Sequence, residues 1–134
     1  MTDLREMLRT VVLEPVFNVE ELAAVLQALT DLNRDSTMCA TAMMAHSSTD
    51  MVSAIRAALD CADITAAAQR VLARTTASDA GVIKAILEAA AIAADRCAAE
   101  CGQHAGHHSH CRVHSESALR AARLCRTELK NMNG

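Results

Sequence analysis

The segment Cys97-x-x-x-Cys101-x-x-His104 is followed, across a short break, by His107-His108-Ser109-His110-Cys111-Arg112-Val113-His114. Every histidine except His46 lies in this stretch, along with three of the six cysteines. Thiols and imidazoles are better ligands than space-fillers, so their concentration points to soft-metal chemistry with Cu(I) or Zn(II). On a helix, Cys97 and Cys101 stand one turn apart on one side, and His104 follows Cys101 at i,i+3. Cys111 and His114 repeat that relation on the next helix. Met43 and His46 are placed to close such a site from an earlier helix, with Cys39 below them. His107, His108 and His110 are candidates for admitting the metal. Cu(I) is served by two or three thiolate, imidazole or thioether donors. Zn(II) requires a tetrahedron, most simply Cys97, Cys101, Cys111 and one of His104, His107 or His114.

The elements that must hold these side chains are helices. Apolar residues make up 51% of the 134-residue chain, yet Phe17 is its one aromatic and Pro15 its one proline, so little interrupts a helix and aliphatic side chains must fill the core. No alternating period suggests strands. One domain over residues 1–134 is expected, with residues 1–15 as an amino-terminal arm or short helix whose apolar side is Leu4, Leu8, Val11 and Val12. Asn18 and Glu21 form a capping box for the first long helix, which runs toward Met44. Ser47, Ser48 and Thr49 then turn the chain. Further helices are expected at about residues 50–73, 79–102 and 108–130, the second of these capped by Ser78 after the polar break of Thr75, Thr76 and Ala77. Short turns between long helices dictate an all-α, antiparallel up-down-up-down four-helix bundle.

At about 100° per residue, one face can be followed through each helix. It reads Leu22, Val25, Leu29, Leu32, Ser36, Cys39, Met43 and His46, then Ala54, Ala58, Cys61, Thr65, Ala68 and Leu72. The third helix supplies Ile83, Ile86, Ala90, Ala94, Cys97, Cys101 and His104. The fourth supplies Cys111, His114, Ala118, Ala121, Cys125 and Leu129. Every cysteine falls on these inward faces. Antiparallel packing gathers Met43, His46, Cys97, Cys101, His104, Cys111 and His114 at one end and seals the other with hydrocarbon. At about 1.5 Å of rise per residue, Cys61 is expected about 15 to 20 Å below the ligand-rich end, and Cys125 deeper still. Both then read as deep thiols outside the coordination shell of Cys101 and His114. A second apolar stripe of Val52, Ile55 and Leu59 calls for a covering surface, supplied in part by the amino-terminal helix and otherwise by a homo-oligomer.

Several functions are disfavoured. The net charge of −3 lacks a basic stripe, which argues against nucleic acid. The charged amino terminus and the absence of a long uncharged apolar run argue against secretion or a membrane span. A cytoplasmic location, where cysteines remain reduced, is expected. A di-iron centre needs Glu-x-x-His pairs that the chain lacks, and Cys101 with His104 has no orienting acid or oxyanion hole, so catalysis is not expected.

The chain resembles the cytosolic branch of the cysteine-rich four-helix-bundle copper-storage proteins. The resemblance is carried by Arg96-Cys97-Ala98-Ala99-Glu100-Cys101-Gly102-Gln103-His104, by His108-Ser109-His110-Cys111-Arg112, and locally by Leu59-Asp60-Cys61-Ala62-Asp63; it covers most of residues 20–130. It implies a tetramer of bundles holding Cu(I) on thiolates that line each core. Cys61, Cys97, Cys101, Cys111 and Cys125 would be lining thiols, Cys39 fits the same lining, and His104 and His108 would lie near the mouth. This chain has Ala54, Ala58, Thr65, Ala68, Ala90, Ala94, Ala118 and Ala121 where that pattern expects thiols, and His114 where it expects another. Six thiols do not fill a tube. The expected function is therefore low-capacity Cu(I) binding, with Zn(II) binding, a metal-independent helical scaffold or a metal sensor as alternatives.

Overall fold

The computed structural model describes residues 3–11, 18–46, 49–74 and 80–133. The expected features at Val12, Pro15, Phe17, Ser47, Ser48 and residues 75–79, the Ser78 cap included, lie outside them. Five helices are described: α1 (Leu4–Val11), α2 (Val19–Ala45), α3 (Val52–Ala73), α4 (Ala80–Gly102) and α5 (Ser109–Asn133), with one 3-10 turn at Thr49–Met51 before α3. The architecture is all-α, a four-helix bundle with a short amino-terminal helix, and among the described residues there is no strand. The Asn18 side chain caps α2 as expected, accepting the Glu21 N–H at 2.8 Å.

The core is layered. At one end Leu22, Val25, Leu29, Leu72, Ile83 and Leu87 pack with Leu8 of α1 and with Cys125. The middle layer is built from small side chains, Ala57, Ala94, Ala118 and Ala121, around Cys61 and Cys97. The other end joins Cys39, Met43, Met51, Cys101 and Cys111. Alanine lets the helices approach closely, and that closeness brings sulfur atoms from different helices together.

Cross-helix contacts set the register. The Asn33 amide donates to the Ala62 carbonyl at 2.7 Å and to Thr65 Oγ1 at 3.1 Å, tying α2 to α3. Arg96 reaches Asp60 at 2.7 Å, tying α4 to α3, and Arg126 pairs with Asp95 between α5 and α4. Such exposed ion pairs add little stability, but they report the alignment of the helices.

Three expectations need adjustment. Leu87 is fully buried on α4 and Glu128 is buried on α5, whereas their neighbours Ile86 and Leu129 are partly buried and pack against the same hydrocarbon cluster. The arm does not cover the outer stripe of α3. Leu8 instead enters the hydrocarbon end, Arg5 pairs with Glu20 of α2, and Val52 and Leu59 stay exposed.

Candidate metal centre

Sequence periodicity placed all six cysteines inward, and all six are free and buried. What periodicity does not supply is the height at which helices meet. Donor atoms on one ion lie no further apart than about twice a metal–sulfur bond of about 2.3 Å. Among the described residues four groups satisfy such a limit, their donor atoms all lying within 4.8 Å of one another: Cys39–Cys101–His114, Cys61–Cys97–His114, Cys39–His110–Cys111 and His46–His108–His110.

His114 stands in two of these groups. It is fully buried, with Nδ1 3.2 Å from Cys101 Sγ and Nε2 2.8 Å from Ser36 Oγ. Cys97 Sγ lies 3.1 Å from the Ala57 carbonyl, which places it beside α3. Cys39 and Cys111 lie 4.0 Å apart, and His110 Nδ1 faces both, at 3.2 Å and 3.4 Å.

The electrostatics follow from this packing. A hydrogen bond from Cys97 lowers the Cys61 thiol to about 5 against the effect of burial, assisted by His114. A hydrogen bond from Cys39 lowers Cys101 to about 5 in the same way, again with His114 contributing. The partner thiols, Cys97 and Cys39, are raised by holding the shared proton and by burial. Burial disfavours charge on His114, but its hydrogen bonds to Cys101 and Cys61 outweigh it and raise the imidazole to about 9. The packing thus favours charge on His114 and on one thiol of each pair, and the thiolate is the form in which sulfur ligates a metal.

The structure relocates several residues expected at the site. Cys61 is not a deep thiol isolated from His114; it shares a group with His114 and Cys97. Arg96 and Asp60, the residues just before Cys97 and Cys61, are paired, and in this register the two cysteines share the middle layer. Cys97 accordingly belongs to the middle layer, not with Cys101. The Zn(II) set of Cys97, Cys101 and Cys111 with a histidine is not assembled, because no group of described residues unites those three thiols.

His104 and His107 join no donor group among the described residues. Helix α4 ends at Gly102, and the chain then folds into a turn in which the His104 N–H bonds the Cys101 carbonyl at 3.0 Å. Cys125 lies in the hydrocarbon layer, where burial pushes its thiol up to about 12. Met43 is fully buried in the layer of Cys39, Cys101 and Cys111. Met51 lies in that same layer and was missed, although its position directly after the first turn was the available signal.

A bundle whose interior gathers thiols and imidazoles from four helices defines a soft-metal-binding protein. The chain belongs to the copper storage protein family, which it matches over residues 18–130. It is similar to the copper storage protein Ccsp of Streptomyces lividans loaded with 10 copper equivalents, at 32% identity and a TM-score of 0.87, covering 96% of this chain and 99% of that one. The cytosolic copper storage protein from Streptomyces lividans with five coppers is similar at 35% identity and a TM-score of 0.77, over 83% of this chain and 93% of that one. A histidine-to-alanine mutant of the Streptomyces lividans protein is also similar, at 32% identity and a TM-score of 0.81, over 88% of this chain and 99% of that one. A search of curated proteins found no match. Membership in a storage family makes the role one of holding metal without catalysis. Among the described residues no helix is long and apolar enough to cross a membrane.

Proposed function

We propose that this protein binds a small number of Cu(I) ions in the cytoplasm, through Cys39, Cys61, Cys97, Cys101, Cys111, His110 and His114, with Met43 as a thioether beside the Cys39 and Cys101 sulfurs. The observation that carries this reading is His114 lying between the Cys39–Cys101 and Cys61–Cys97 pairs. Two or three soft donors of this kind suit Cu(I) and leave no tetrahedral thiolate set for Zn(II). Alanine at Ala54, Ala58, Ala68, Ala90, Ala94, Ala118 and Ala121, inward positions that carry no donor, is the reason for low capacity.

A homo-oligomer, in keeping with the tetramer implied by the family resemblance, is supported by Val52, Leu59, Val82, Ile92 and Leu119, which leave large apolar side chains exposed. The copper reading is tested on fully reduced protein against a competing Cu(I) chelator. Changing Cys97, Cys101 and Cys111 to Ala together deprives each thiol-containing group of one sulfur and is expected to abolish competition. Equal Cu(I) retention by the wild type and this triple variant would overturn the assignment.

A further inference from the structure

The fourth donor group contains no sulfur. His46 closes the carboxyl end of α2, with its N–H bonded to the Met43 carbonyl at 3.1 Å. His108 ends the turn after α4, and His110 lies in the first turn of α5. Their ring centroids are 4.4 Å (His46–His108), 5.7 Å (His46–His110) and 5.2 Å (His108–His110) apart. The turn that presents His108 is itself bonded, its N–H donating to the His104 carbonyl at 3.0 Å while its carbonyl accepts the Cys111 N–H at 3.1 Å.

A second observation points to a ligand. His110 Nε2 is buried and has no hydrogen-bond partner, while Nδ1 of the same ring faces Cys39 and Cys111. A buried polar atom left unsatisfied is costly, and a bound cation would satisfy it.

We propose that His46, His108 and His110 form a second metal site at the rim of the bundle, for a divalent cation of the Zn(II) class. Three neutral imidazoles with room for a water are a donor set for borderline divalent ions, whereas the thiolate groups below suit Cu(I). The two kinds of site meet at His110, one nitrogen of which serves the Cys39–Cys111 sulfurs. The rim site does not depend on the copper reading.

Co(II), a coloured stand-in for Zn(II), provides the test on full-length reduced protein. One bound Co(II) per chain is expected, with visible ligand-field bands, no thiolate-to-cobalt charge transfer in the near ultraviolet, and displacement by Zn(II). His46→Ala and His108→Ala should each lose this Co(II), with helical content checked by circular dichroism. Cys61→Ala should keep it while losing Cu(I) in the chelator competition, which separates failure here from failure of the copper assignment. Co(II) bound with a thiolate charge-transfer band, no Co(II) bound at all, or full retention of Co(II) in both histidine variants would each overturn the rim site.

Discussion

The imidazole of His114 and the thiol of Cys101 come together from different helices, Nδ1 to Sγ at 3.2 Å, in a fully buried setting. Because the same ring also belongs to the Cys61–Cys97 group, a single side chain couples two thiol pairs that would otherwise be independent.

Changing His114 to Ala should therefore lower Cu(I) affinity at both pairs, not at one. It should also destabilise the apoprotein by on the order of 2 kcal/mol, through the space left behind and the loss of the Ser36 partner. Chelator competition reads the first effect and urea denaturation the second. A variant that loses Cu(I) at only one pair would show that the ring does not couple them.

Cys101 and Cys125 should respond differently. Cys101→Ala removes a sulfur beside Cys39 and His114, and should reduce bound Cu(I). Cys125→Ala lies among Leu and Ile side chains, and should cost only about 1 kcal/mol of packing while leaving bound Cu(I) unchanged. Copper quantification on the two reduced variants decides the matter, and equal losses would mean that copper binds along the whole bundle.

Copper binding should release protons and weaken in acid. At neutral pH His114 is protonated, raised to about 9, whereas Cys61 and Cys101, lowered to about 5, are thiolates. Seating Cu(I) on the ring expels its proton, so affinity falls as pH drops below 9 and falls more steeply near 5, where the thiolates also protonate. Chelator competition across pH 5 to 9 should show this steepening, and a flat profile would contradict it.

Glu128 makes a separate prediction about stability. It is buried at 3% exposure with Oε2 unpartnered, and burial followed by repulsion from Glu21 raises it from 4.5 to about 7. A raised folded value means that the stability this group contributes is present below pH 4.5 and is lost as pH rises through 7. Glu128→Gln should thus gain on the wild type across that window, by on the order of 2 kcal/mol. Thermal unfolding of both proteins at pH 4.5 and 7.5 would reveal it, and a constant difference between them would refute it.

Helix positions, the Asn18 cap and the inward direction of every cysteine were legible because each depends on neighbours within one helix. The height of Cys61 was not, because it depends on how far α3 slides against α2 and α4, which Asn33, Asp60 and Arg96 report only once the helices are packed. Glu128 is buried near Glu21 of α2, a meeting of helices that no pattern within α5 reports. Antiparallel packing places the end of α2 and the start of α5 at one end of the bundle, but which imidazoles meet there is set by the turn that presents His108, and no helical period reports that.

The Leu22, Leu29, Leu72 and Leu87 layer closes the far end of the bundle. A container with one door loads and unloads through the same opening, so its contents behave as a stack. On the proposed copper reading, an ion seated between Cys61 and Cys97 would arrive first and would wait for one between Cys39 and Cys101 to depart. Release would then be ordered by position, with the ion nearest the rim the first to exchange.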